Sequence, residues 1–296
     1  MITEKKKNEL IKFIYSHEQV QGGFSFSQTT PPTLEDTYFA LRLLRQLKQY
    51  SVSRQTISYI TQLNQNEFHF PNHLYQLIII YKITHQVDLE KLLRKKITRN
   101  QKITIDTISD VYYLILTKEI LKMLPNNLKK NEQNIINSVQ KKPVKSMEEY
   151  KQLIILMKKF HNSYPFKEYE TIIQNSQNHD GGFGIVPNST SYLESTYHAL
   201  RALKELNILP INIHKCERFI NSCITNIGAF GRQAITLPTL EYSYYAFMGL
   251  KIIEEMKKFL VLIISLFLIF SLDVLGQFGK NKVQYKKFNY YYIQSK

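Results

Sequence analysis

The stretch DGGFGIVPNSTSYLESTYHALRAL occupies residues 180–203, and the chain repeats its plan twice more. GGFSFSQTTPPTLEDTYFALRLL begins at Gly22 and GAFGRQAITLPTLEYSYYAFMGL begins at Gly228. A phrase reused along one chain constrains the fold more than any bulk property does. It means that one supersecondary unit is stacked on copies of itself.

The copies share their spacing as well as their words. The first glycine and a glutamate lie 13 residues apart in each: Gly22 and Glu35, Gly181 and Glu194, Gly228 and Glu241. Three residues beyond each glutamate stands a tyrosine, Tyr38, Tyr197 or Tyr244. Apolar residues follow at helical period: Leu41 and Leu44, Leu200 and Leu203, Phe247 and Leu250. With the tyrosine as a ruler, weaker copies appear at Tyr75, Tyr112 and Tyr150, so that the steps are 37, 37, 38, 47 and 47 residues. Six units result, the middle three having lost their glycines and shortened their loops.

A second helical stretch precedes the loops, as in NELIKFIYSHEQ, RQTISYITQLNQ, YETIIQNSQNH and CERFINSCITN. Gly22, Gly181 and Gly228 then fall where that helix ends, in the left-handed conformation that glycine tolerates. Ser191 and Glu194 have the spacing of a capping box for the helix that follows. Each unit is therefore expected to be a helix hairpin of about 40 residues that buries its apolar faces against neighbours. An open solenoid and a closed α/α barrel both satisfy that requirement.

Composition narrows the class. The chain has 296 residues, 44% of them hydrophobic, enough for one large domain or two small ones. The net charge is +15, but its lysines are scattered among Ile, Asn and Tyr, without a basic platform interleaved with aromatics, so no nucleic-acid partner is expected. Cys216 and Cys223 lie seven residues apart on one predicted helix face and read as buried thiols of a reducing compartment.

The phrases DGGFG with STYHALRAL, and GAFG with LPTLEYSYYAFMGLKII, resemble the repeats of protein prenyltransferase β subunits and of the wider terpenoid cyclases, including the squalene cyclase type. The resemblance covers roughly residues 10–255. It implies an all-α fold, an α/α toroid in which six helix hairpins close a barrel around a cavity for an isoprenoid chain. It also implies a prenyl transfer or cyclisation chemistry, an isoprenoid diphosphate as ligand and a helical-repeat partner subunit.

The chemistry is where this chain departs from the family. Protein prenyltransferases hold zinc with an Asp and a Cys two residues apart, at positions occupied here by Thr239 and Glu241, and with a His one repeat later, near residue 290, where this sequence is unrelated. Of the family's basic pair for diphosphate, Arg232 lies one position off and Thr236 replaces the Lys. The acidic DxDD string of class II cyclases does not occur. The family zinc ligands are thus not preserved, and the cofactor is left open, with a divalent metal compatible with the acidic residues.

By the same resemblance, Glu35, Glu194 and Glu241 face the cavity as an acidic arc, with Asp36, Arg42, His198 and Arg201 nearby. They are the catalytic candidates, as metal or cation ligands or as a protonated general acid, against the plainer reading that they cap helices. Tyr38, Tyr197 and Tyr244 either line a ligand pocket or space the hairpins. Arg232 is the candidate for an anion contact. The competing function is a non-catalytic toroid that binds a lipid or protein partner.

From Met256 the character changes. MKKFLVLIISLFLIFSLDVLGQ has two lysines, a 14-residue apolar run from Phe259 to Leu272, and small residues before Gln277. That is the plan of a secretory signal peptide, and the run is shorter than the ~18 residues a spanning helix needs. Residues 256–296 are accordingly expected to be the start of a neighbouring, unrelated reading frame, leaving a cytoplasmic toroid over 1–255. The alternative is a tail that tethers the toroid to a membrane surface through residues 259–272.

Overall fold

The computed structural model describes residues 3–63, 68–98, 105–123, 143–160 and 166–265. Among them the structure is all helical, with isolated bridges and no sheet. The helices are α1 (Glu4–Tyr15), α2 (Leu34–Gln46), α3 (Arg54–Gln62), α4 (Pro71–Ile83), α5 (Val87–Thr98), α6 (Ile108–Ile120), α7 (Met147–Phe160), α8 (Lys167–Asn175), α9 (Leu193–Leu206) and α10 (Ile213–Ser222), followed by α11 over residues 240–265. The chain divides into two units, Met1–Ile252 and Ile253–Lys296.

Within the larger unit the repeated phrase becomes one recurring structure. Each loop folds its aromatic back onto the helix that follows. The Phe24 N–H donates to Thr37 Oγ1 at 3.0 Å, Phe183 N–H to Thr196 Oγ1 at 2.9 Å, and Phe230 N–H to Ser243 Oγ at 3.0 Å. All six residues are buried, so each hydroxyl satisfies a donor that water cannot reach. The turn glycines adopt positive φ, 89° at Gly22, 94° at Gly181 and 79° at Gly228. Each also lies against the next outer helix: a Cβ would come within 2.1 Å of the Gln55 carbonyl oxygen from Gly22, 2.2 Å of the Lys215 carbonyl carbon from Gly181, and 2.4 Å of Glu9 Cβ from Gly228. The last of these returns the chain to α1.

Several helix starts follow local chemistry. Thr33 caps α2 through the Asp36 N–H at 3.0 Å, Thr239 accepts from the Tyr242 N–H at 3.0 Å, and Thr107 with Asp110 forms a capping box on α6. The expected box of Ser191 and Glu194 does not form. Helix α9 begins after Tyr192, so Glu194 falls one position too early for the reciprocal bond. Ser191 instead donates to Asp180 at 2.8 Å, and Glu194 is taken by Arg232.

The second helix of each hairpin forms the inner layer. Helix α2 packs on α4, α4 on α6, α6 on α7 and α7 on α9. Tyr245 of α11 stacks on Tyr197 of α9 at 4.8 Å, and Phe39 of α2 meets Tyr244 and Tyr245 at 5.6 Å. Leu10, Ile14, Leu41, Leu77, Leu153, Leu200 and Ile220 are among the fully or almost fully buried side chains between the helices. Their transfer from water is the main stabilising term. Cys216 and Cys223 are free and buried, and burial pushes both thiols up.

Of the smaller unit the described residues are 253–265, all helical. Glu254 and Lys258 pair at 2.7 Å, and Phe259, Val261, Leu262, Ile263 and Ile264 are exposed. The remainder of the apolar run to Leu272, and the rest of the signal-peptide-like segment, lie outside the described residues. Among the described residues no helix is long and apolar enough to cross a membrane.

Candidate functional site

The inner helices of the larger unit surround a cavity of about 580 Å³. Because side chains at i, i+3, i+4 and i+7 share one helical face, its wall is layered. The first layer, at the helix starts, contains Glu35, Asn72, Ser109, Glu148 and Glu241. The second contains Tyr38, Tyr75, Tyr112, Lys151 and Tyr244, each three residues further on, together with Tyr197 of α9, and Phe39, Gln76, Tyr113, His198 and Tyr245 stand beside them. The third, another turn along, contains Arg42, Arg201 and Met248. The wall thus changes from acidic through aromatic to cationic.

The aromatic layer is continuous across neighbouring helices. Tyr38 and Tyr75 lie 6.2 Å apart, Tyr75 and Tyr113 5.2 Å, and Tyr197 and Tyr244 6.2 Å. Its one break is α7, where the sequence ruler picks Tyr150. That residue packs against Tyr169 at 5.7 Å and does not line the cavity. Lys151 takes the tyrosine's place, buried over the ring of Tyr112 at 5.1 Å.

A buried ionic group follows from that replacement. Glu148 accepts from the Tyr113 hydroxyl at 2.8 Å and from Gln152 at 3.0 Å, and Lys151 Nζ lies 3.5 Å away. Burial opposes charge on Glu148, but Lys151, His198 and Tyr113 outweigh it and hold the carboxyl down at about 2. Burial pushes Lys151 down to about 8 despite Glu148, with Arg201 and Arg42 adding to the effect. Burial, then Lys151, pushes His198 down to about 3, so its imidazole is neutral; Nε2 stands 3.9 Å from Glu148.

In the same layer, Glu241 accepts from the Tyr245 hydroxyl at 2.9 Å. Burial pushes its carboxyl up to about 7, and Glu35 and Glu194 add repulsion. It therefore exchanges a proton near neutral pH, the range in which a general acid or base is useful.

The residues singled out from the sequence divide in two. Glu35, Glu241, Tyr38, Tyr197, Tyr244, His198 and Arg201 line the cavity. Glu194 and Arg232 do not; they bind one another, with Arg232 Nε 2.8 Å and Nη2 2.5 Å from Glu194 Oε1, and Arg232 stacks on Tyr192 at 3.8 Å. Arg42, only a neighbour in the sequence reading, proves to be a wall residue, and Glu148, Lys151, Tyr113 and Tyr245 were not picked out at all. A signal for two of them was present: Glu148 precedes Lys151 by the same three residues that separate Glu35 from Tyr38.

The metal chemistry of the resemblance does not fit these residues. Thr239 is engaged as a helix cap and Glu241 by Tyr245. Among the described residues no group of three or more His, Cys, Asp or Glu is placed to hold a metal ion.

The structure of Candida albicans protein geranylgeranyltransferase-I complexed with GGPP matches with 16% identity over 85% of this chain and 79% of that one, at a TM-score of 0.35. No curated protein sequence matches significantly. The profile of the prenyltransferase alpha-alpha toroid domain matches residues 1–209 and again 82–282. With most of its length so matched, the chain belongs to the prenyltransferase alpha-alpha toroid domain family.

Proposed function

We propose that the protein handles an isoprenoid-type ligand, entering the cavity between the inner helices with an anionic head group and an apolar chain. In this reading six hairpins over residues 1–255 close around the ligand. The observation that carries it is the layer of tyrosines open to a cavity of about 580 Å³. Aromatic faces suit an apolar chain and stabilise cationic character developing on it. Glu241, which holds or releases a proton near neutral pH, faces the same space and is the candidate for acid or base work. Calorimetric titration of farnesyl and geranylgeranyl diphosphate, with and without a divalent metal, tests the reading. Saturable binding that weakens in Tyr197→Ala supports it, and a folded protein that binds neither ligand refutes it.

A second reading, a non-catalytic toroid that engages a lipid or protein partner, has one observation in its favour. Thr239, Glu241 and Arg232, at or beside the positions where the resemblance locates chemistry, are engaged with other parts of the chain. Ligand binding without turnover would select it.

We read residues 256–296 as the start of a separate secreted product and the toroid as cytoplasmic. An intact mass ending near residue 255 supports this, and a full-length species found on membranes supports the tether instead.

A further inference from the structure

We infer that Lys151 is a nucleophile for a carbonyl ligand: its amine captures an apolar aldehyde in the cavity as an imine, with the Glu148 carboxylate as counter-ion. The capture needs a carbonyl group and no diphosphate, so it stands apart from the isoprenoid reading.

The placement of Lys151 comes first. Where α2, α4, α6, α9 and α11 present a tyrosine to the cavity, α7 presents an amine. Lys151 is buried, yet it lines a space of about 580 Å³, enough for a small apolar molecule. An ammonium has three N–H donors and no acceptor. Among the described residues its Nζ finds one acceptor, Glu148 Oε1 at 3.5 Å, and the face of Tyr112 at 5.1 Å. That oxygen already accepts from the Tyr113 hydroxyl at 2.8 Å and from Gln152 at 3.0 Å, so the ammonium is its most distant donor. The remaining N–H groups of a buried cation have no protein acceptor there, which is costly.

An iminium suits this place better than the ammonium does. Once the ammonium has given up a proton, the amine lone pair bonds to the carbonyl carbon. The C=O π pair moves to oxygen, which takes a proton from nitrogen to give a carbinolamine. The proton released at the start then joins that hydroxyl, which leaves as water while the C=N bond forms. Ammonium and aldehyde thus become iminium and water, and one cation replaces another. The iminium keeps its charge opposite Glu148 and has a single N–H in place of three, so the unmatched donors disappear. The face of Tyr112 adds to the stabilisation of that cation.

The groups facing Lys151 also favour the reactive amine. Burial pushes it down to about 8; Glu148 opposes this, and Arg201 of α9 and Arg42 of α2 add to it. Tyr112 and Tyr113 of α6 and His198 of α9 complete the surroundings and are neutral near pH 7. About a tenth of Lys151 is therefore unprotonated at pH 7, against less than about a thousandth of an exposed lysine.

The probe is benzaldehyde, added to the full chain with sodium cyanoborohydride, which reduces the imine to a stable secondary amine. Peptide mass spectrometry locates the label from about pH 6 to about pH 10. Saturable labelling of Lys151 is expected, with a midpoint near pH 8 and, at pH 7, a rate at least about tenfold above that of the exposed lysines. Lys151→Arg, which keeps the charge and forms no imine, should lose this label. Arg201→Gln should move the midpoint up and Glu148→Gln should move it down, because Arg201 opposes the ammonium and Glu148 favours it. Circular dichroism establishes that each variant is folded, and should Glu148→Gln fail to fold, Arg201→Gln decides. Labelling confined to exposed lysines, with Lys151 untouched in the folded chain, overturns the site. So does a Lys151 midpoint near that of an exposed lysine, or one that the folded variants leave unchanged.

Discussion

Gly228, in the turn of the last repeat, lies against Glu9 of the first helix, so close that a Cβ on the glycine would sit 2.4 Å from the Cβ of the glutamate. Gly22 and Gly181 meet the backbone of Gln55 and Lys215 in the same way. The relation between a turn and the next outer helix thus also links the end of the larger unit to its beginning. Gly228→Ala is expected to cost at least about 2 kcal/mol, from the positive φ and the collision together, seen as a fall in thermal midpoint of roughly 4 to 8 °C. In a Glu9→Gly background the same change should cost less, because only the backbone term remains. An identical cost in both backgrounds would show that the two residues do not touch in solution.

The buried hydroxyls that anchor the loops should be expensive to remove. Thr196→Val keeps the shape of the side chain but leaves the Phe183 N–H without an acceptor. A loss of about 1 to 3 kcal/mol in chemical denaturation is expected, with the equivalent Ser243→Ala similar. A near-neutral Thr196→Val would mean that water reaches this loop.

Glu241 gives the stability profile a limb near neutral pH. Its folded pKa, raised from 4.5 to about 7, means that between those values the folded chain keeps a proton that the unfolded chain has released. Stability from this group is therefore fully present below pH 4.5 and lost as pH rises through 7. Glu241→Gln should remove the limb and raise stability at pH 8 by about 1 to 2 kcal/mol, the carboxyl being only partly buried. Thermal midpoints from pH 4.5 to 8 measure it, and parallel profiles for the two proteins would be the contrary result.

Glu148 acts in the other direction and in a lower window. Its carboxyl is held at about 2, so its contribution is present above pH 4.5 and lost as pH falls toward 2. Glu148→Ala also strips Lys151 of its carboxylate while Arg42 and Arg201 remain nearby. The expected cost at pH 7 is about 3 kcal/mol. A double variant with Lys151→Met should recover a good part of it, and failure to recover would show that the ion pair is not what the substitution disrupts.

Most of the helical plan was legible because its signals are local. Gly22, Gly181 and Gly228 mark turns through their own backbone freedom, and Tyr38, Tyr75, Tyr112, Tyr197 and Tyr244 mark inner helices through a period that any single helix displays. The same ruler slipped at α7, because Tyr150 and Lys151 are adjacent and a period alone cannot say which of two neighbours turns inward. Packing decides that: Tyr150 is drawn to Tyr169, and Lys151 to Glu148 and the face of Tyr112.

The candidate site was legible as a set of positions and not as a set of partners. Glu35, Glu194 and Glu241 stand at one point of the repeat, yet Glu194 is bound by Arg232 of the following loop, 38 residues away, and Glu241 by Tyr245 one turn on. Nothing in residues 191–201 announces the first of these. The sequence by itself determined the repeat, the turns and the faces of most helices, because each depends on residues within a turn or two of one another. Only the tertiary structure decided which cations find a carboxylate and which, like Arg42, are left facing a cavity, because charge pairing depends on distances between helices that are far apart in the chain.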